Sequence, residues 1–272
     1  MSWSALAQAQ QANGRSALPT DPMFQLGLDS GGCLVQATLN DVPLLRRKWA
    51  GFELTLPIDQ WLQRGRNTLE LRPMSGGKQG ADAQACKASA SIWVRGGSQP
   101  ESANARLLTV TWPASSDVSK KSAVVGHLDV GKELPVWRWT TSDPIPATRA
   151  TRTALRREYR LIWEAVRAKK VAGLLPAFAE RNREMGAALR LAEGELERRA
   201  GTLQEHSMDP ALEQVPLEPE DAELVVFANG RLAKLTRWDG SPMIAFSYKD
   251  GSGAVAFDIV FRRERGKWLI SR

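Results

Sequence analysis

The chain of 272 residues is long enough for two ordinary domains, and a hydrophobic fraction of 43% supports buried cores. Charged residues make up 25%, close to the globular average, which excludes wholesale disorder. The net charge is +7, and two histidines leave little for acid–base chemistry. No apolar run reaches roughly 18 residues, so we expect no membrane-spanning segment.

Residues 1–20 are expected to form a flexible tail. Within them, Ala7-Gln8-Ala9 has the small-x-small form of a signal-peptidase site, but no charged or apolar region precedes it. Either the motif is a coincidence of composition, or the chain begins near a removed signal. The second interpretation predicts a periplasmic location, and the first leaves a cytoplasmic location open.

Residues 21–142 have the pattern of an antiparallel β-sandwich domain. Gly, Asn, Asp and Pro separate short stretches in which apolar and polar residues alternate, which is typical of a sheet protein. A loop is expected at 113–123. The predicted strands are 23–28, 33–40, 51–56, 67–72, 85–95, 106–112 and 134–141.

The only two cysteines, Cys33 and Cys86, lie on the apolar faces of two of these predicted strands. Two cysteines alone do not complete a zinc site. Either they form a disulfide across the sandwich in an oxidising compartment, or they are small core residues. The sequence leaves both interpretations open.

A Pro/Thr-rich stretch ends the first domain, and residues 151–272 are predicted to form an α+β domain. A break near Gly173 and Pro176 separates two amphipathic helices, and Pro176 suits the first turn of the second. That helix is expected to end near Gly201. Apolar residues recur at three- and four-residue spacing in the first helix: Leu155, Tyr159, Ile162 and Val166.

Four or five antiparallel strands are predicted after the helices. Asn229-Gly230 between the first two is a strong hairpin signal, and further turns are predicted at 239–242, 249–253 and 265–266. The expected result is a single meander and an α+β fold class overall. Its strands are predicted at 222–228, 231–238, 243–248, 254–262 and 267–271.

A motif in the first half consists of "LND" (39–41), "LPIDQWLQRG" (56–65) and "NTLEL" (67–71). We expect Gly65 to take a positive φ and Asn67 to bond its own backbone and so fix the turn. The motif resembles the galactose-binding-like jelly roll over roughly residues 23–112. The resemblance implies a sandwich fold, but no calcium-ligand cluster is recognisable, so no ligand residues are carried over.

The second half carries a helix over 155–180, a hairpin-linked sheet and the terminal "FRRERGKWLISR" (261–272). It resembles the nuclear-transport-factor-2-like superfamily, which implies a cone-shaped α+β domain. Enzymatic members of that superfamily line the cup with an Asp/His or Tyr/Asp set. This half departs from them, because its only histidine is His206 in a predicted loop.

Candidate catalytic groups are few. His127 has Asp129 two residues on, but an ordinary loop histidine is the favoured interpretation. Glu180 and Glu184 have the i, i+4 spacing of a metal or hydrolytic pair, yet interleaved arginines favour ion pairs on the helix surface. We therefore predict no enzymatic activity, no metal site and no cofactor.

Two features predict binding instead. The segment 149–201 carries an excess of basic residues, which forms either a solvated helix face or a docking face for an acidic partner. No signature of nucleic-acid binding is present, so no nucleic-acid partner is expected. Tryptophan and arginine residues also cluster in two short stretches. Either they pack in the core or at an inter-domain seam, or they form a hot spot for protein binding: Arg46, Arg47, Trp49, Trp137, Arg138 and Trp139.

Together these patterns predict a non-catalytic bacterial binding protein. The overall organisation is similar to bacterial effector-immunity proteins, which implies a secreted toxic effector as protein partner, delivered by a type VI or contact-dependent system. One alternative is a carbohydrate- or cell-wall-binding envelope protein, with a glycan as ligand. A second alternative is an enzyme that uses the cup of the C-terminal domain.

Overall fold

The structure is a computed structural model that describes residues 10–11, 18–19, 21–31, 34–46, 52–73, 87–96, 105–112, 123–218 and 220–272. Its contacts divide the chain into two units, Met1–Val136 and Trp137–Arg272. The division falls earlier than the expected end of the first domain at residue 142. All strand pairs are antiparallel, and three α-helices accompany them in the described ranges, so the fold class is α+β.

The described part of the first unit consists of nine strands in two sheets. Their bounds are β1 Gln10–Gln11, β2 Pro22–Gly31, β3 Val35–Leu39, β4 Val42–Arg46, β5 Phe52–Pro57, β6 Gly65–Pro73, β7 Lys87–Gly96, β8 Ala105–Trp112 and β9 Val124–Val130. The sheet orders are β1-β8-β7-β2-β5 and β4-β3-β6-β9. Six predicted strands are confirmed. The sequence patterns missed β4, β9 and the two residues of β1, which fall in the expected tail.

Both sheets contribute to one buried cluster. Alternate residues of each strand point inward, for example Phe24, Leu26 and Leu28 of β2. Gly126 of β9 comes so close to β8 that a Cβ atom there would lie 2.6 Å from Val110 Cγ1. The inward faces of the two sheets therefore pack on each other at the density of a folded core.

The Gly65–Asn67 turn is confirmed and belongs to a wider hydrogen-bond network. Gly65 has a φ of +85°, and Asn67 is fully buried. The Asn67 Oδ1 accepts from Asn40 Nδ2 at 2.7 Å and from the Gln63 amide at 2.8 Å. Its Nδ2 donates to the carbonyls of Gln63 and Gly65 at 2.8 and 3.0 Å. Asn40 Nδ2 also donates to the Trp61 carbonyl at 2.9 Å, so the motif that carries the resemblance performs a structural task here.

The described part of the second unit contains three α-helices: α1 Arg149–Arg167, α2 Leu175–Leu189 and α3 Glu193–Met208. The expectation of two helices is wrong because Arg190 adopts the left-handed conformation, with φ 51° and ψ 44°. That conformation ends α2, and α3 begins three residues later. Pro176 lies in the first turn of α2, as predicted.

Seven strands complete the described part of this unit: β10 Leu212–Gln214, β11 Glu223–Phe227, β12 Leu232–Thr236, β13 Ile244–Tyr248, β14 Ala254–Phe257, β15 Phe261–Glu264 and β16 Lys267–Ile270. The predicted hairpin turn is confirmed, with φ of 53° at Asn229 and 75° at Gly230. The single meander is wrong. Residues 258–260 carry the chain from the β10-β13-β14 sheet into the β11-β12-β15-β16 sheet.

Tyr159 of α1 stabilises this crossing between the two sheets. Its ring is buried edge-on against Phe261, with ring centroids 5.3 Å apart, and its hydroxyl donates to the Ile259 carbonyl. The Leu235 amide donates to the same hydroxyl at 3.4 Å. Burial raises the pKa of Tyr159, so the phenol stays protonated and remains a donor. No helix within the described ranges is long and apolar enough to cross a membrane.

We expect Asn67→Ala to lower the free energy of unfolding of the first unit by about 1–3 kcal/mol, because it leaves buried donors and acceptors unpaired. Urea denaturation measures the change. Gln63→Ala is the matched control, since it keeps the Gln63 backbone amide and removes only an exposed side-chain bond to Arg66. The control should change the free energy by less than about 0.5 kcal/mol. Equal losses in the two variants would contradict a structural role for the Asn67 network.

Candidate functional site

Four of the residues predicted for binding or a disulfide lie outside the described residues: Cys33, Arg47, Trp49 and Cys86. Arg46 ends β4, and the structure describes its backbone only. The disulfide and the first half of the predicted hot spot therefore stay predictions.

The predicted strand at 134–141 is wrong, because Arg138–Thr141 form a 3-10 helix. The Thr140 amide and hydroxyl both donate to the Trp137 carbonyl, at 3.0 and 2.7 Å, which favours the turn over an extended chain. Trp137 and Trp139 are 3% and 1% exposed. The prediction that they form an accessible aromatic pair is therefore wrong, and the packing alternative holds. Of these three residues only Arg138 is exposed.

Glu184 of α2 connects three parts of the second unit. One carboxylate oxygen accepts from the Arg138 amide at 2.7 Å, and the other accepts from Arg272 Nη1 at 2.6 Å. The Arg272 guanidinium in turn lies 5.7 Å from the centre of the Trp137 ring. This cation–π contact buries Trp137 beside the charge pair.

Glu180, one turn earlier on α2, binds Arg262 of β15. Arg262 is 1% exposed, and its two terminal nitrogens donate to Glu180 and Glu264, each at 2.5 Å. The expectation that Glu180 and Glu184 form ion pairs with arginines on the surface of their own helix is therefore wrong. Both glutamates hold α2 against arginines that lie more than 80 residues away in the chain.

The two histidines of the chain lie in different units. His127 lies on the exposed side of β9, where its Nδ1 is 3.3 Å from the Thr68 hydroxyl. His206 is in the last turn of α3, with its ring packed edge-on against Phe257 at 5.6 Å between centroids. Asp209 uses its carboxylate to accept from the Ala211 amide.

A small apolar cavity of about 60 Å³ lies beneath α2 in the second unit. Arg181, Asn182 and Asp258 are the polar residues of its lining, and Asp258 is paired with Lys234 at 2.5 Å. The apolar walls are Val171, Leu175, Phe178, Leu203, Phe257 and Ile259. The part of the chain that the structure describes contains no group of three or more His, Cys, Asp or Glu side chains able to hold a metal ion.

Helix α1 has a strongly basic surface, since it carries six arginines and two glutamates. At about 100° per residue, five of the arginines fall within an arc of roughly 80° along the helix. This arrangement, which we call the arginine stripe, extends over about 27 Å. It borders the buried face of the helix and consists of Arg149, Arg152, Arg156, Arg160 and Arg167.

Most of the arginine stripe has no internal counter-charge. Glu220 reaches Arg156 at 3.1 Å, and among the described residues no carboxylate lies within 4.0 Å of Arg149, Arg152 or Arg160. The first turn of α1 contains no acidic residue, so Arg149 lies at the positive end of the helix dipole. These like charges repel one another, and Glu220 is the one described carboxylate that offsets them at salt-bridge distance.

Open clefts border both ends of the arginine stripe. The first, about 420 Å³, lies at the start of α1 and has Leu224 opposite the arginines Arg149, Arg152 and Arg156. The second, about 470 Å³, lies at the end of α1, and its lining contains basic residues such as Arg167 and Lys169 together with the acidic residues Asp209 and Glu213. The stripe is therefore an accessible basic surface with a recess at each end.

The sequence patterns indicated a basic helical segment but did not single out Trp238. This side chain is 79% exposed, more than any other large apolar side chain in the described ranges. The signal that could have identified it is its position immediately before the predicted turn at 239–242, since a residue in an exposed turn has few neighbours to cover it.

Comparisons with protein-family models, with curated proteins and with solved structures found no match.

The ion pair between Arg262 and Glu264 of β15 predicts a pH dependence. The hydrogen bond from Arg262 and then its charge lower the pKa of Glu264, so its stabilising contribution is complete above the ordinary glutamate range and is lost as the pH falls below it. We expect Glu264→Gln to be less stable than the wild type at pH 7 and to lose less stability on acidification. Urea denaturation at several pH values measures this, with hydrogen exchange to locate the change in the second unit.

Glu158→Gln is the control of opposite sign. Burial raises the pKa of Glu158, so its charged form destabilises the fold at neutral pH. This variant should gain stability at pH 7. A loss of the same size in both variants would show that the ion pair does not control the pH dependence.

Proposed function

We propose that the chain is a non-catalytic bacterial immunity protein that binds and neutralises a secreted toxic effector with an acidic contact surface. The arginine stripe is the observation that carries this proposal. In the same proposal, the first unit is a galactose-binding-like jelly roll and the second a nuclear-transport-factor-2-like cone. The protein acts in the periplasm on an effector delivered by a type VI or contact-dependent system.

The energetic cost of the stripe supports a binding role. Like charges at i, i+3 or i, i+4 on a helix destabilise it by about 0.2–0.5 kcal/mol for each pair, and a cation at the helix N-terminus adds to this cost. Residues whose local interactions destabilise the fold are expected at functional sites, where a bound partner can offset that cost. An acidic partner surface would remove the repulsion when it docks, and would accelerate association at low salt.

The surroundings of the stripe favour a protein over a nucleic acid. A nucleic-acid platform needs aromatic faces on which bases stack. The aromatic residue beside the stripe is Trp163, whose Nε1 donates to the Val215 carbonyl at 3.0 Å and whose ring lies 5.4 Å from the Arg167 guanidinium. Its face is thus occupied, and arginines remain to form bidentate bonds with carboxylates.

We expect the double variant Arg149→Glu and Arg152→Glu to gain stability and lose its partner. A glutamate at position 149 suits the helix dipole, and one at position 152 forms an i, i+4 pair with Arg156. Together these changes raise the free energy of unfolding by about 0.5–1.5 kcal/mol at low salt. Charge reversal should weaken effector binding at least about tenfold. Urea denaturation and calorimetric titration with the purified effector measure the two effects.

The effector is obtained by affinity capture from source cells at low salt, where the charges of the arginine stripe are least screened, then purified and tested for toxicity that the wild-type chain relieves. Arg157→Glu is the control, because Arg157 lies outside the stripe on the same helix. It should change affinity by no more than about threefold. If the chain captures no protein and relieves no toxicity, while a glycan panel shifts its tryptophan fluorescence, the immunity proposal is wrong and the envelope-binding alternative replaces it.

A further inference from the structure

Trp238 protrudes from a tightly determined turn between β12 and β13. The Arg237 amide donates to the Ser241 carbonyl, and the Gly240 amide donates back to the Arg237 carbonyl, both at 2.9 Å. Gly240 has a φ of +81°, and Asp239 Oδ1 accepts from the Ser241 amide at 2.9 Å. The backbone is therefore held in one conformation that directs the indole into solvent.

Arg237 fixes the same turn to the body of the unit. Its guanidinium donates to the Pro216 carbonyl at 2.8 Å and to the carbonyls of Pro242 and Met243, each at 3.3 Å. All three acceptors are backbone atoms, so the contact braces the turn between β12 and β13. A side chain presented on a braced turn loses little conformational entropy when a partner covers it.

The polar groups around the indole favour a protein partner over a glycan. The Arg237 guanidinium donates to backbone carbonyls and Asp239 Oδ1 accepts from the Ser241 amide, whereas a glycan requires polar side chains that bond its hydroxyls. What remains is a large apolar surface with one N–H donor, the chemistry of an interface anchor.

The turn that carries Trp238 is also connected to α1 through hydrogen bonds. Residues 215–216 join the two, because the Val215 carbonyl accepts from Trp163 of α1 and the Pro216 carbonyl accepts from Arg237. A partner that spans this segment would meet both the arginine stripe and Trp238. The charges would then direct the encounter while the buried indole slows dissociation.

We propose that Trp238 is the apolar anchor of the effector interface and inserts into an apolar pocket of the partner protein. This inference rests on the proposed function, and it adds a residue and a partner feature that the arginine stripe does not specify.

The test begins with site-specific crosslinking in source cells that express the full chain. Trp238→p-benzoylphenylalanine should crosslink one protein on irradiation. Leu161→p-benzoylphenylalanine is the control, because Leu161 is also an exposed apolar side chain, 60% accessible, on a face of α1 away from the stripe. Crosslinking to no protein, or only to glycan or lipid, from position 238 would overturn the proposal.

The crosslinked protein is then purified and titrated against the chain. Trp238→Ala should weaken binding by roughly 30-fold or more, mainly through faster dissociation. Because Trp238 is exposed, the variant should keep the thermal stability of the wild type. Leu161→Ala should stay within about threefold of the wild type. If the wild type binds the effector and Trp238→Ala binds equally well, the anchor is wrong and the proposed function stands. If the wild type binds no protein, both are wrong.

Discussion

The burial of Arg262 is the constraint on which the second unit depends. A guanidinium removed from water requires nearby carboxylates, and only Glu180 and Glu264 reach it among the described residues. Glu264 is two residues away on the same strand, but Glu180 belongs to α2. Pairing of the buried charge therefore determines where α2 lies against the sheet, and Glu184 extends the contact to Arg272 and the Arg138 amide.

That placement of α2 has consequences for the rest of the unit. Trp137 lies beside the Arg272 guanidinium, which removes its indole from the surface. The apolar cavity forms beneath the same helix. Replacing a buried charge pair by apolar residues is often neutral for stability, whereas removing one partner is costly. We therefore expect this network to determine how α2 packs on the sheet more than to increase the free energy of unfolding.

Two groups of arginines in this unit differ in burial and in pairing with carboxylates, which indicates a structural role for one group and a binding role for the other. Arg262 and Arg272 are buried and matched by carboxylates, whereas Arg149, Arg152 and Arg160 are exposed with no such match among the described residues. The charges of Arg262 and Arg272 are balanced by carboxylates within the fold. The exposed ones retain a field that a partner can satisfy, which is why the candidate site is assigned to α1 and not to the residues around α2.

Much of the local structure was accessible from the sequence because short stretches encode it. Turn chemistry at Gly65, Asn67 and Asn229 placed turns where the structure has them, and the spacing of Leu155 and Tyr159 identified α1. A left-handed residue inside a helical pattern, such as Arg190, has no comparable signal, since arginine rarely adopts that conformation. The break between α2 and α3 was missed for that reason.

The sequence by itself determined the α+β class, most strands, the hairpin turns and the basic character of the segment after residue 149. The tertiary structure alone decided that Trp137 and Trp139 are buried, that Glu180 and Glu184 pair with distant arginines, and that Trp238 is exposed. The physical reason is the range of the interactions involved. Periodicity and turn preference depend on residues within a few positions, whereas burial and charge pairing depend on which distant segments the fold brings together.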